Sequence, residues 1–155
     1  MIGRRGFLAG VAALAARGGA SVASEGFEVS LSEPEWRAWL TPAQFAVLRE
    51  EHTERPYSSP LNGEKRAGRY LRVGCALPVY DAATKFDSGT GWPSFWAAVS
   101  GNVGTRQDFR RVLSRTEAHC RRCGGHLGHV FVDGPPPTGM RHCINGLALD
   151  FRPSS

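Results

Sequence analysis

The sequence predicts a mainly β domain with a small helical cover at its N-terminal side. Three observations predict it. From Tyr70 onward the segments YLRVGCALPVY, FRRVLSRTEAHC, HLGHVFV and LALDF are short, β-branched or aromatic, and separated by Gly and Pro clusters, as strands are. Ahead of them, two capping patterns open short amphipathic runs. The 155 residues suit one domain, with no internal repeat or low-complexity block to divide it.

The first 23 residues stand apart from that domain. MIGRRGFLAGVAALAARGGASVA has the Arg4-Arg5 pair, an apolar run, then small residues, which is the order of a secretory signal of the twin-arginine type. The apolar run is too short to anchor a chain across a bilayer. Ser21-Val22-Ala23 is a small-residue cleavage site, so the mature chain is expected from Ser24, exported to the periplasm without stable membrane insertion. The full chain carries a net charge of +5, and losing Arg4, Arg5 and Arg17 leaves 16 basic against 14 acidic residues, or +2. So mild a balance gives no footprint for nucleic acid. The remaining chain of about 130 residues can bury one modest core.

Within the mature chain, residues 24–33 read as a leader, loose through residue 31, and the domain spans 34–153. Ser32 with Glu35 forms the S-x-x-E capping box for a helix through EWRAWL. Thr41-Pro42 is N-cap and first residue of a second helix, PAQFAVLREE, with Phe45 and Leu48 facing inward. HTERPYSSPLNGEKRAG is rich in turn residues and reads as a long surface loop. A single helical turn is expected from Pro93, in PSFWAAV. In MRHCINGLALDF, Cys143 heads a strand, and LALDF is expected to hold it in its sheet.

The four cysteines divide three to one. Cys120 and Cys123 form C-R-R-C with Gly124-Gly125 behind, which is half of a four-thiolate zinc site. The other half offers only Cys75, because Arg72 stands where its partner belongs. His119 is a candidate fourth ligand by proximity, but it adjoins Cys120 and is expected to point to the other face of a strand, leaving His or water to complete a three-thiolate set. Three readings stay open: a three-thiolate zinc site, a site that has lost its metal, and a disulfide suited to an oxidising compartment. Arg72 sets a cation against Zn²⁺.

Cys143 has different neighbours. A nucleophilic cysteine attacks as the thiolate and needs nearby positive charge or donors to lower its pKa. Arg141 and Asn145 lie two residues to either side, on the same face of a regular strand. His126 and His129 are three apart, so both face one site only if the backbone bends, which Gly128 permits. A histidine beside the thiol can serve as acid or base near neutral pH. Trp92, between Gly91 and Pro93, can form an aromatic wall, and DGPPPTG shapes a loop.

Together these stretches resemble the methionine-R-sulfoxide reductase B family. The matching strings are TKFDSGTGWPSF, HLGHVFVDGPPPTG and RHCIN, supported by TERP and RTEAHCRRC, over roughly residues 34–152. The resemblance implies a β-tent (Mss4-like) fold of two antiparallel sheets with N-terminal helices. It implies that Cys143 attacks the sulfur of a methionine R-sulfoxide, mainly in oxidised proteins, and becomes a sulfenic acid that a thiol reduces. It further implies that His126 and His129 supply or position a proton, Asn145 positions the site, Arg141 favours the thiolate, Asp133 orients a histidine, and Trp92 receives the S-methyl group. Cys75, Cys120 and Cys123 match metal positions far from the site, an incomplete set for a zinc that the chemistry does not require. The family's usual resolving cysteine is here Thr90, so a thioredoxin-type external donor is expected to regenerate a monomeric enzyme. Two other functions compete: a non-catalytic β binding module with a zinc-like knuckle, and a thiol oxidoreductase built on C-R-R-C, which lacks the βαβ context that motif needs.

Overall fold

In a computed structural model the described residues are 26–155, so the expected signal, its cleavage site and Ser24 lie outside them. Helix α1 (Glu33–Trp39) and helix α2 (Pro42–Glu50) open the domain. The Glu35 carboxylate accepts from the Ser32 N–H at 2.7 Å, and Thr41 accepts from the Gln44 N–H at 3.2 Å, as the capping patterns predict. Both helices turn Trp36, Leu40, Phe45, Val47 and Leu48 into the core. The leader is not loose where it is described. The Val29 N–H donates to the Arg122 carbonyl at 2.9 Å, and the Phe27 ring lies over Gly124, because the bare glycine leaves a flat apolar seat.

Nine strands follow, forming two antiparallel sheets. The smaller has order β2 (Pro78–Asp81), β1 (Gly68–Arg72), β9 (Leu149–Pro153). The larger has order β3 (Lys85–Phe86), β4 (Ser94–Phe95), β8 (Arg141–Ile144), β7 (His126–Phe131), β6 (Arg115–Cys120), β5 (Val103–Asp108). Between the sheets Tyr70, Tyr80 and Phe95 are fully buried, with Phe95 stacked on Tyr80 at 4.4 Å and edge-on to Tyr70 at 5.0 Å. No helix among the described residues is long and apolar enough to cross a membrane.

Four local expectations are corrected. YLRVGCALPVY is two strands, because Gly74 and Ala76 take positive φ and the chain doubles back, with Arg72 N–H donating to Leu77 at 2.8 Å. FRRVLSRTEAHC is strand only from Arg115; residues 109–114 are the tip of the β5–β6 hairpin, and β5 was unpredicted because its VGTRQD is polar and largely exposed. Pro93 starts no helix, since Ser94 and Phe95 pair with Cys143 and His142 on one side and with β3 on the other. LALDF does not share a sheet with Cys143. A single 3₁₀ turn, Gly146–Ala148, carries the chain from β8 in the larger sheet to β9 in the smaller.

The larger sheet has two unlike faces. Directly paired residues share a face, so Ser94, Cys143, His129, Glu117 and Arg106 form one row across five strands. Phe95, Ile144, Val130 and Ala118 point the other way, into the core. The β6–β7 register slips by one residue: Ala118 pairs with Gly128 but His119 pairs with His126, leaving Leu127 as a bulge. Gly128 is held tightly against β8, where a Cβ would lie 2.0 Å from the Cys143 carbonyl oxygen. Gly128→Ala must push these strands apart and is expected to cost at least about 2 kcal/mol in urea unfolding. An unchanged midpoint would show that the strands yield freely there.

Candidate active site

The bulge at Leu127 places both histidines on the Cys143 face. Three residues apart, they would otherwise oppose one another, yet their ring centroids are 5.4 Å apart. The expected bend is present, but it sits at Leu127, while Gly128 provides the close strand approach. Each ring is anchored by a carboxylate from the neighbouring hairpin. His126 Nδ1–H donates to Glu117 at 2.7 Å, and His129 Nε2–H donates to Asp108 at 2.8 Å. Each carboxylate rests in turn on an arginine, Glu117 on Arg106 and Asp108 on Arg115. Burial would raise Glu117, but His126 and Arg106 hold it below the usual carboxylate value. The Arg110 N–H, with His129 and Arg115, holds Asp108 well below it. Both acids are therefore anionic, which fixes the anchored ring nitrogens as donors.

Asp133 does not orient a histidine. It lies across the strand end from Arg141, whose guanidinium donates to both carboxylate oxygens at 2.9 and 3.0 Å. This pair keeps Asp133 low and Arg141 high, and it seats the guanidinium on the Phe131 ring at 4.4 Å. Asn145 does not donate to the thiol either. Its Nδ2 donates to the Leu127 carbonyl and its Oδ1 accepts from the Glu54 N–H, each at 3.0 Å.

Glu54, from TERP, is the residue that ties these parts together. Its carbonyl accepts from Trp92 Nε1–H at 3.0 Å, and its carboxylate accepts from Gly146 N–H at 2.5 Å and Leu147 N–H at 3.0 Å. One residue thus fixes the Trp92 ring, the Asn145 side chain and the turn between the sheets. Glu54, Glu117, Asp108 and Arg115 were missed in the sequence. Their roles come from cross-strand register and long-range pairing, which leave no local pattern; only the Glu117 position, alternating with core residues in RTEAHC, gave a trace.

The Cys143 thiol opens into a cleft of about 120 Å³ with Trp92, Phe131 and Thr53 as walls and His129, Arg115 and Asn145 as polar lining. Thr90 Oγ1 is 3.9 Å from its sulfur and hydrogen-bonds Ser88, which also contacts Ser94 at 2.7 Å. The thiol is not activated at rest. Burial pushes it above the ordinary thiol value, and Thr90 and Arg141 only partly offset this. Burial also lowers His129 despite Asp108. The resting pair is a neutral thiol and a neutral imidazole whose Nδ1 has no protein partner among the described residues. A larger hollow of about 700 Å³ on the far side of Glu54 holds neither thiol nor histidine.

The other three cysteines form a separate cluster. The turn after β1 carries Cys75 to within 3.6 Å of Cys120, and the three sulfurs all lie within 4.8 Å of one another, close enough to share an ion. No fourth ligand joins them among the described residues. Buried Arg72 takes that side instead: its Nη2 lies where a Gly125 Cβ would be, at 1.9 Å, and its Nη1 donates to the Ala148 carbonyl. Arg49 and Arg122 donate to the carbonyls of Cys123 and Cys75, so three guanidiniums surround the sulfurs. The thiols of Cys120 and Cys75, with Arg72, pull Cys123 below the ordinary thiol value, while its neighbours push Cys75 up. The three sulfurs remain a compatible site for an ion, with the cationic Arg72 beside them. A second group, Glu51, Glu117 and His126, also lies within 4.8 Å, but Arg106 bridges its two carboxylates.

A profile of the SelR domain matches residues 40–153. The chain belongs to the SelR family. Among its SelR relatives, the peptide methionine sulfoxide reductase MsrB of Pseudomonas putida (strain W619) is 54% identical over 121 residues, covering 77% of this chain and 90% of the relative. The protein of that name from Bradyrhizobium diazoefficiens is 50% identical over 127 residues, 81% of this chain and 91% of the relative. That from Agrobacterium fabrum is 47% identical over 127 residues, 81% and 94%. The SelR match takes in both sheets and every residue of the cleft.

The raised thiol gives a pH prediction. A group whose pKa is raised loses its proton only at higher pH, so iodoacetamide labelling of Cys143 in the resting protein should be slow at pH 7 and reach half its plateau rate above about 8.5, the ordinary thiol value. Arg141→Met removes a favourable charge and should move that midpoint further up. A midpoint near neutrality in the wild type would sink the neutral-pair description.

Proposed function

We propose that the chain reduces methionine-(R)-sulfoxide, mainly in proteins, to methionine, with Cys143 as the nucleophile. The observation that carries this is the meeting of the Cys143 thiol, the anchored His129 and the Trp92 wall in one cleft, in a chain whose relatives bear the name peptide methionine sulfoxide reductase. An S-methyl group needs an apolar wall, and a polar S=O needs donors. His129 Nδ1 takes the thiol proton as substrate enters, and Asp108 stabilises the imidazolium so formed. The thiolate attacks sulfur and forms an S–S bond while the imidazolium protonates the oxygen. The S–O bond then breaks as that oxygen bonds the Cys143 sulfur, and the S–S bond breaks with its electron pair returning to the methionine sulfur, which leaves a Cys143 sulfenic acid. Methionine leaves. Two external thiols then reduce the sulfenic acid, releasing water and a disulfide. His126, fixed by Glu117, supports His129 from behind. Arg141 favours the attacking anion and Asn145 holds the strand end.

An external thiol, of thioredoxin type, fits the position of Thr90 beside the sulfur. The other cysteines are badly placed to resolve it. Cys120 lies two strands over and three residues along, about 14 Å away by strand spacings, on the opposite face of the sheet. The twin-arginine pattern over residues 1–23 makes the enzyme a periplasmic one, so its donor is an exported thiol protein. The Cys75–Cys120–Cys123 cluster is a metal-free thiol site stabilised by Arg72.

Two measurements test these readings. With dithiothreitol as donor, the wild type should reduce the R epimer of a blocked methionine sulfoxide and spare the S epimer, and Cys143→Ser should lower the rate at least about 10³-fold. Equal rates would end the catalytic reading. By elemental mass spectrometry, the wild type should hold well under one zinc per chain after dialysis, and Arg72→Cys should raise it to about one. Stoichiometric zinc in the wild type would overturn the metal-free assignment.

A further inference from the structure

The tip of the β5–β6 hairpin is an apolar surface with no partner in the fold. Phe109 is 75% exposed, Leu113 79%, and Val112 fully. Val132, just beyond β7 at the same end of the sheet, is 86% exposed. Single exposed apolar residues are ordinary, but four gathered at one sheet end are not. Nothing in the sulfoxide chemistry uses them. Arg110 is neutralised by Glu51 at 2.7 Å, whereas Arg111 has no partner among the described residues, so the tip carries a free positive charge beside its apolar groups.

The hairpin tip lies one residue beyond two of the side chains that build the cleft. Its two stems are Asp108, which anchors His129, and Arg115, which lines the cleft. Leu113 lies four residues along and two strands across from Cys143, about 16 Å by strand spacings. An extended peptide covers that in about five residues. The cleft itself, at about 120 Å³, has room for one methionine side chain and little more, so it cannot by itself distinguish a sulfoxide in a polypeptide from a free one.

On the reading that this cleft reduces methionine sulfoxide, we propose that the hairpin tip is the docking element for the substrate polypeptide: an unfolded segment bearing apolar residues and an acidic residue about five positions from the oxidised methionine. Phe109, Val112 and Leu113 receive the apolar side chains and Arg111 the carboxylate. Such residues are buried in a folded protein and exposed together with an oxidised methionine when it unfolds. The tip thereby selects damaged, opened chains.

The test uses the full mature protein and F109S/V112S/L113S, all of whose changed positions are exposed and outside the cleft. Two labelled peptides carry one methionine-(R)-sulfoxide each, one with Leu-Phe-Asp five residues away on either side, the other with Gly-Ser-Ser there. Anisotropy on the Cys143→Ser background measures binding without turnover. The apolar-acidic peptide should bind about tenfold more tightly than its control, and the triple variant should lose that preference. Blocked free methionine sulfoxide should be turned over at the same rate by both active proteins, within about twofold. Equal binding of the two peptides, or a preference that survives in the variant, overturns the docking role. So does a dimer, in sedimentation velocity, that the variant dissolves while peptide binding stays unchanged, since the occupant is then a second copy. If neither protein reduces the free sulfoxide, the function reading fails, while the binding result stands or falls independently.

Discussion

One extra residue in β7 decides whether there is a site at all. A regular strand would turn His126 toward the core and leave His129 alone on the Cys143 face. The Leu127 bulge turns the start of β7 so that Leu127 fills the core and His126 joins the Cys143 face. The bulge is possible because β7 is central, gripped by β6 and β8 on both sides. It is tight because Gly128 lets the Cys143 backbone come close. Putting a buried histidine beside a buried carboxylate would cost several kcal/mol if either lost its partner. Here the hairpin brings Glu117 and Arg106 in the same row, so the charges are matched as the sheet pairs.

The same electrostatic arrangement is used three times on this face. Arg106 with Glu117, Arg115 with Asp108, and Arg141 with Asp133 each set an arginine against a carboxylate. In the first two the carboxylate passes its order on to an imidazole. In the third the arginine itself is the product, held beside the sulfur and over Phe131. Positive charge reaches the thiol at an angle fixed by Asp133, and it is diluted by that partner, which is why burial still dominates at Cys143. The Cys143 thiol and the His129 ring stay neutral among these paired charges.

The fold class was legible because strand and helix signals are local: β-branched runs, Gly and Pro breaks, two capping boxes. So were Cys143, His126, His129 and Trp92, whose residue types announce chemistry. Where the reading failed, a partner far along the chain was decisive. PSFWAAV has helix-forming residues, but Ser94 and Phe95 have strands on both sides. VGTRQD has no apolar alternation, because β5 is an edge strand over which nothing packs. The family resemblance implied that Asp133 orients a histidine, yet Asp108 and Glu117 hold the rings because hairpin register puts them in line with them. Arg72 lies beside the three cysteines, and that Arg49 and Arg122 bond the carbonyls of Cys123 and Cys75 could not be seen from spacing.

Glu54 and the amides it receives are 92 and 93 residues apart in sequence. Closing a loop of that length is among the slower and costlier events in a small domain's folding. Trp92, Asn145 and the turn between the sheets take their places only when it is done. A chain whose turn after β8 has not yet met Glu54 therefore lacks the fixed Trp92 wall and the held Asn145 side chain beside position 143. The cleft around Cys143 and the finished tertiary structure thus arrive together, one closure serving both.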